Sequence, residues 1–182
     1  MAHERMPEAE VSLRLAIHLI TSGRAVEGVT VAIDGAQVKT GETIHFSVAD
    51  FLRTHGWEPA TVGERWQGCY RHASSMQTIT IHSRSGRGDV VATFADGVPF
   101  VAEAKKGPLK RSVSSQEYPL LREALGQLLT IEDVPANAVL AVAVPHSARF
   151  AELASRWRVA PLVKRVGIRI LTVAPDGAVC GW

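Results

Sequence analysis

A hairpin between residues 88 and 105 constrains the fold of this chain more than any other stretch. Its sequence, Gly-Asp-Val-Val-Ala-Thr-Phe-Ala-Asp-Gly-Val-Pro-Phe-Val-Ala-Glu-Ala-Lys, has β-branched and aromatic residues on both sides of an Asp-Gly turn signal. Outside the turn, the charged residues stand only at the far end, where Asp89 opens the first strand and Glu103 and Lys105 close the second. The pattern predicts two apolar strands that bring three charged groups together.

The length of the turn decides whether Asp89 and Glu103 lie on the same face of the sheet. Side chains alternate along a strand, so Glu103 and Lys105 share one face. A two-residue turn places Asp89 opposite Ala104, on the other face, whereas a three-residue turn with Gly97 in the left-handed conformation places Asp89 opposite Glu103. We predict the three-residue turn.

Two carboxylates that lie side by side repel each other unless a cation sits between them. Oxygen ligands favour a hard ion such as Mg²⁺, for which Mn²⁺ can substitute, and Mg²⁺ typically keeps several waters beside one or two protein carboxylates. A lysine two residues further can orient or deprotonate a metal-bound water or stabilise charge on a phosphate. Asp89, Glu103 and Lys105 therefore predict a Mg²⁺ site suited to phosphodiester hydrolysis.

At these residues the sequence resembles the PD-(D/E)xK nuclease superfamily, which has the restriction-endonuclease-like fold. The family pattern is an Asp at the start of one core strand and Glu-x-Lys on the next, matched here by Asp89 and Glu103-Ala104-Lys105. Gly88 stands where the pattern has Pro, as in many branches of the family. Residues 123–129 resemble the helix that follows Glu-x-Lys in many members, and residues 166–171 resemble the last core strand.

The resemblance implies a Mg²⁺-dependent deoxyribonuclease, an endonuclease rather than an exonuclease, that hydrolyses DNA phosphodiester bonds through metal-activated water. It implies Asp89, Glu103 and the carbonyl of Ala104 as metal ligands. Lys105 would act on the attacking water or the phosphate, and Gln127 would support the site. No small-molecule cofactor is expected. Cutting both strands of a duplex requires two such sites, so we expect a homodimer.

Some members of the family add an acidic residue from an early helix to the metal site, which makes Glu10 a candidate. Its place in the first turn of a helix is equally explained by the helix dipole. Asp50 and Glu58 are alternative contributors, although capping or surface roles suffice for both. His82 could contact phosphate, but a lone histidine is more often structural or exposed.

Basic residues flank the predicted metal site in the sequence. The net charge of +2 is small, so a nucleic-acid surface requires local clusters of positive charge. One cluster comprises Arg84, Arg87, Lys106, Lys110 and Arg111, and we expect it to hold DNA phosphates. A second cluster comprises Arg156, Arg158, Lys164 and Arg165. Both clusters are also compatible with solvated loop and helix charges.

The 182 residues fit a chain with one main domain. Residues 47–182 predict an α/β core, a mixed β-sheet flanked by helices that matches a restriction-endonuclease-like core. Residues 1–46 predict a small extension, with a helix over residues 8–22 and a hairpin that turns at Asp34-Gly35.

Composition restricts the remaining function classes. The only two cysteines, Cys69 and Cys180, form no zinc pattern or disulfide framework, and no apolar run is long enough to span a membrane. We expect a cytoplasmic protein without a membrane partner. The alternative function is a non-catalytic module that binds nucleic acid or protein and retains the nuclease fold.

Overall fold

The structure is a computed structural model that describes residues 4–61, 66–110 and 116–182. Its strands are β1 (Arg5–Met6), β2 (Val29–Ala32), β3 (Lys39–Thr40), β4 (Thr43–Ile44), β5 (Trp57–Pro59), β6 (Gly68–His72), β7 (Thr78–His82), β8 (Val90–Thr93), β9 (Pro99–Ala104), β10 (Gly107–Pro108), β11 (Val139–Pro145), β12 (Arg169–Val173) and β13 (Val179–Cys180). Its helices are α1 (Glu8–Thr21), α2 (Gly35–Val38), α3 (Val48–Thr54), α4 (Glu117–Leu128), α5 (Ala148–Arg158) and α6 (Pro161–Val166).

Nine of these strands form one mixed sheet in the order β13-β12-β11-β9-β8-β2-β7-β6-β5. Strands β9, β11 and β12 run parallel, as do β2 and β7, and the other neighbours are antiparallel. The predicted mixed sheet with flanking helices is confirmed at this level. Two short ladders, β1 with β10 and β3 with β4, lie outside the large sheet.

Helices cover both faces of the sheet around β11. Ala141 and Ala143 of this strand belong to the cluster of buried residues that includes the apolar side of α1. Val142 and Val144 belong to a second cluster, with the apolar sides of α4 and α5. A strand buried on both faces requires a nearly continuous apolar sequence, which is what β11 has.

Two elements from the first 46 residues, β2 and α1, belong to the large sheet and to the core that covers it. Strand β2 lies between β8 and β7, where it pairs antiparallel with the first and parallel with the second. Helix α1 contributes seven buried residues, among them Leu13, Leu15 and Leu19, to the cluster shared with β11. The division into an extension over residues 1–46 and a core over residues 47–182 therefore does not describe the packing.

The hairpin expected at Asp34-Gly35 does not form, and that prediction is wrong. The side chain of Asp34 accepts a hydrogen bond from the N–H of Ala36 at 3.0 Å and caps the short helix α2. Asp favours helix N-caps as well as turns because its side chain can replace a missing main-chain partner. The strand before the turn, β2, instead finds its partners in distant parts of the chain.

Within the described part of the chain, no helix is both long and apolar enough to cross a lipid bilayer.

Candidate functional site

The β8–β9 hairpin has the register that the three-residue turn requires. Val91 pairs with Val101, and Ala92 pairs with Phe100. The N–H of Phe94 donates to the carbonyl of Val98 at 2.9 Å, which leaves three residues in the turn. Gly97, the last of them, has a φ of 78°, a left-handed conformation that glycine adopts without strain. The predicted turn is confirmed.

Asp89 lies just outside the regular ladder, in a bulge. Val90 is the ladder partner of Ala102, yet the N–H of Asp89 also donates to the carbonyl of Ala102 at 2.9 Å. The carbonyl of Asp89 accepts from the N–H of Ala32 in β2 at 2.8 Å. Asp89 and Val90 therefore both stand opposite Ala102, which is the pattern of a β-bulge. Bulges change the direction of side chains and are frequent beside functional sites. Here the Oδ2 atom of Asp89 accepts from the N–H of Ala104 at 2.8 Å.

The carboxyl groups of Asp89 and Glu103 are neighbours that share a hydrogen bond. Glu103 is only 9% exposed. Burial, and after it the charge of Asp89, raises the pKa of Glu103 to about 8. Burial also raises the pKa of Asp89 to about 6, although its hydrogen bond from Ala104 acts in the opposite direction. The pair is therefore poorly compensated by the cationic groups around it.

Lys105 is buried beside this pair and is held by two other carboxylates. Its Nζ atom lies 3.3 Å from both carboxylate oxygens of Glu8 and 3.3 Å from Oε1 of Glu123. Burial lowers the pKa of Lys105, but Glu8 and Glu123 outweigh burial and leave the pKa above its ordinary value. The side chain is thus an ammonium group at neutral pH.

Glu8, the first residue of α1, is a site residue that the sequence did not reveal. Glu10, the acidic candidate from this helix, instead forms an ion pair with Arg14 at 2.8 Å. The residues near α1 do not distinguish Glu8 from Glu10. The distinction comes from a distant contact, since β1, the strand before α1, pairs with β10, which closely follows Lys105 in the sequence. The side chain of Gln37 then donates to Oε1 of Glu8 at 2.9 Å and holds it in place.

The structure brings the other expected catalytic residue to the same cleft. This cleft has a volume of about 650 Å³, and Gln127 of α4 lines it together with Asp89, Glu103, Lys105 and Glu8. Two further walls are formed by residues 83–86 and by residues 32–34. Of the described residues around it, four are acidic and two are basic, so the cleft has an excess of carboxylates: Glu8, Asp34, Asp89, Glu103, Arg84 and Lys105.

The basic residues that we expected to hold DNA separate into different environments. Arg84 lines the cleft. Arg87 forms an exposed ion pair with Asp133 at 3.1 Å. Lys106 lines an adjacent pocket of about 400 Å³ that also contains Glu8. Lys110 is exposed at the end of a described segment, and Arg111 lies outside the described residues.

The remaining acidic candidates lie elsewhere. Asp50 bonds to the hydroxyl of Ser47 at the start of α3 and pairs with Arg53 at 3.1 Å. Glu58 pairs with the same arginine at 3.7 Å. The Nδ1 atom of His82 accepts from the N–H of Arg84, at the start of the loop that forms one wall of the cleft. The capping and surface roles considered for Asp50 and Glu58 account for both.

The oxygen atoms of Asp89 and Glu103 are suitable ligands for a small, hard metal ion. Among the described residues, no three or more His, Cys, Asp and Glu side chains are grouped to hold a metal. The two carboxyl groups of Asp89 and Glu103 remain as oxygen ligands, and the main chain of Ala104 is close to them, because its N–H donates to Asp89. One or two carboxylates with water are the usual protein ligands of Mg²⁺.

Searches against protein-family models, curated proteins and solved structures found no match to this chain.

Proposed function

We propose that this chain is a Mg²⁺-dependent endonuclease that hydrolyses DNA phosphodiester bonds, with a restriction-endonuclease-like core of the PD-(D/E)xK superfamily. The observation that carries the proposal is the pair formed by Asp89 and Glu103. Their carboxyl groups lie together in a cleft with more acidic than basic residues, and the pKa of each is raised. A divalent cation is the most direct compensation for such a pair.

Asp89 and Glu103 would hold the ion, with the carbonyl of Ala104 as a further oxygen donor. Bound Mg²⁺ would supply a more acidic water and would neutralise charge on the phosphate. Mn²⁺ would substitute for it. The strand order around the hairpin, with α4 after β9 and the parallel strand β11 beside it, supports the assignment of the core.

Lys105 would stabilise negative charge on the phosphate. Its pKa is raised, so the ammonium group keeps its proton at neutral pH and is unsuited to remove a proton from water. This favours the phosphate role over the role as a base. Glu8 and Glu123 would position the ammonium group, and Gln127 would provide an amide at the wall of the same cleft.

DNA would enter along the wall formed by residues 83–86. Arg84 is the basic residue of this wall. Replacing it with an uncharged residue should weaken DNA binding and reduce the salt dependence of the affinity. Arg87, Lys106 and Lys110 would contact phosphates further from the carboxylates.

Cleavage of both strands would need two copies of the site, so we propose a homodimer, which light scattering on the purified protein can test.

The decisive experiment is a cleavage assay on supercoiled, linear and branched DNA with Mg²⁺, Mn²⁺ or a chelator. We expect nicked and linear products from supercoiled DNA only when a divalent ion is present. Glu103→Gln and Lys105→Met should each reduce the rate by at least about a hundredfold. The matched control is Glu58→Gln, which changes an exposed carboxylate outside the cleft and should cleave normally.

A second candidate function is a non-catalytic module that binds nucleic acid or protein. It is favoured by the contacts of Lys105, whose ammonium group is engaged by Glu8 and Glu123. DNA binding in the presence of Ca²⁺ without cleavage in Mg²⁺ or Mn²⁺ would support this candidate and contradict the nuclease. Neither binding nor cleavage would contradict the nuclease and a nucleic-acid role together.

A further inference from the structure

The ammonium group of Lys105 is already occupied in the free protein. It carries three N–H donors. Three carboxylate oxygens lie 3.3 Å from its Nζ atom, two from Glu8 and one from Glu123. The number of these oxygens equals the number of donors, so a phosphate oxygen that bonds to Lys105 must replace one of them. The two carboxylates differ in how easily they can be replaced.

Glu8 is the partner that the fold holds in place. Its side chain is only 14% exposed, and Gln37 donates to its Oε1 atom at 2.9 Å in addition to Lys105. It is the first residue of α1, directly after the strand that pairs with β10. Removing the ammonium group from this carboxylate would leave a largely buried charge without its cation, which is costly. Glu8 should therefore remain bound to Lys105.

Glu123 is the partner that can be displaced. Its side chain is 54% exposed, and in the described part of the chain Lys105 is the only ion-pair partner of its carboxylate. Helix α4 places it one turn before Gln127, which lines the cleft. Water solvates an exposed carboxylate as soon as it is released, so the separation of this pair costs little.

A phosphate in the cleft would compete with Glu123 for the same donor. Lys105 lines the cleft together with Asp89 and Glu103, so a phosphate beside that carboxylate pair is within reach of the ammonium group. Two negative groups on one ammonium group also repel each other. The exposed carboxylate is then the one that leaves, because its separation from Lys105 costs less than that of Glu8.

We propose that Glu123 is an autoinhibitory contact: its carboxylate holds the ammonium group of Lys105 in the free protein, and a DNA phosphate that enters the cleft replaces it while Glu8 stays bound. This inference rests on the proposed function, because it takes a DNA phosphate as the ligand of the cleft. Glu123 would thus lower the affinity for DNA, whereas Glu8 would position Lys105 in both the free and the bound state.

The test measures the binding of a fluorescently labelled DNA duplex by anisotropy, with Ca²⁺ in place of Mg²⁺. We expect Glu123→Gln to bind the duplex about two- to fivefold more tightly than the unmodified protein, because one exposed ion pair no longer competes with the phosphate. In a Lys105→Met background the same exchange should give no gain, since no ammonium group remains to be released. This double-mutant cycle separates the contact from the general effect of charge.

The matched control is Glu132→Gln, which removes the same charge from an exposed residue directly after Ile131 in the wall of the cleft. Its effect on binding should be equal with and without Lys105→Met. Circular dichroism verifies the fold of each variant. Carbon-13 NMR of the glutamate carboxyl groups needs no change at Lys105: added duplex should shift the Glu123 signal, assigned by its loss in Glu123→Gln, to that of a solvated carboxylate.

The proposal is overturned if Glu123→Gln binds DNA equally well or more weakly, since a weaker affinity would mean that Glu123 is needed to position Lys105. It is also overturned if the gain persists in Lys105→Met, if the NMR signal of Glu123 does not move, or if the duplex does not bind. These outcomes are separate from those of the cleavage assay. A protein that cleaves DNA but gains no affinity from Glu123→Gln keeps the nuclease function and loses the autoinhibitory contact, whereas a gain without cleavage does the reverse.

Discussion

Glu103 illustrates how one residue can oppose the stability of the fold that contains it. Its carboxyl group is buried next to Asp89, and the nearest cation, Lys105, is engaged by Glu8 and Glu123. Burial and the charge of Asp89 both disfavour the ionised form of this carboxyl group, and Lys105 only partly offsets them, so the protonated form is favoured. A residue of this kind has an energetic cost that a ligand can relieve.

The first prediction concerns pH. The pKa of Glu103 rises from an ordinary value of 4.5 to about 8 on folding. Between these values the folded protein holds a proton that the unfolded chain has lost, so the free energy of unfolding should fall as the pH rises, by a few kcal/mol in all. Glu103→Gln should remove most of this dependence. Urea denaturation without divalent ions, at several pH values from 5 to about 9, measures it.

Two controls accompany this measurement. Glu58→Gln, at an exposed carboxylate, should leave the pH dependence as it is in the unmodified protein. Mg²⁺ should stabilise the unmodified protein at alkaline pH but have little effect on Glu103→Gln. An equal effect of Mg²⁺ on both proteins would show that the ion binds elsewhere.

The second prediction concerns Gly88, the residue before Asp89. Its φ is 91°, and a Cβ atom there would lie 2.8 Å from Cγ1 of Val101 and 3.2 Å from the carbonyl of Ala102. We therefore expect Gly88→Ala to destabilise the protein by about 1–3 kcal/mol and to displace Asp89. Thermal denaturation and Mg²⁺ titration followed by NMR measure the two effects.

Gly97 provides the matched control for Gly88. Its φ is also positive, at 78°, but nothing lies within 4 Å of a Cβ atom at this position. Gly97→Ala should therefore cost only the backbone strain, about 1 kcal/mol, and leave Mg²⁺ binding unchanged. Equal losses in the two variants would mean that the close contacts of Gly88 are unimportant.

At the scale of elements, the short ladder of β1 and β10 fixes the site because it joins the start of α1 to the end of β9. Met6 pairs with Gly107, and the N–H of Leu109 donates to the carbonyl of Glu4 at 2.9 Å. Glu8 thereby reaches Lys105 although 97 residues separate them in sequence. Neither strand is long enough to be recognised from its own residues.

The third prediction tests how closely β10 packs against α5. A Cβ atom at Gly107 would lie 2.5 Å from the ring of Phe150, a residue with no exposed surface. Gly107→Ala should therefore destabilise the protein by about 1–3 kcal/mol. Gly126→Ala, in α4 with nothing within 4 Å, should instead stabilise it by about 0.5–1 kcal/mol. Chemical denaturation measures the free energy of unfolding of both variants. A Gly107→Ala protein as stable as the unmodified chain would contradict the close packing.

At the scale of the molecule, the N-terminal residues complete the sheet. Removal of β2 would leave β7 and β8 each with an unpaired edge, and removal of α1 would expose the apolar face of β11. The chain does not divide into a core and an accessory part at residue 46.

The fourth prediction follows from this packing. A protein truncated to residues 47–182 should show no cooperative thermal transition, because it lacks a central strand and the helix that covers it. Circular dichroism and proton NMR of the truncated protein, compared with the full chain, provide the measurement. A cooperative transition and dispersed NMR signals from the truncated chain would contradict the prediction.

The sequence alone determined the features that depend on local patterns. The turn signal at Asp96-Gly97 and the β-branched strands beside it were sufficient for the register that brings Asp89 close to Glu103. The apolar run of β11 was sufficient for a strand buried on both faces. These predictions succeed because neighbouring residues in a hairpin or strand determine their own geometry.

Tertiary structure decided what local patterns leave open. Glu8 and Glu10 both occupy the first turn of α1, and only the pairing of β1 with β10 brings Glu8 to Lys105 and leaves Glu10 with Arg14. Likewise, β2 reads locally as one arm of a hairpin, but its partners are β7 and β8. Contacts between distant segments depend on the packing of the whole chain, and no single segment encodes them.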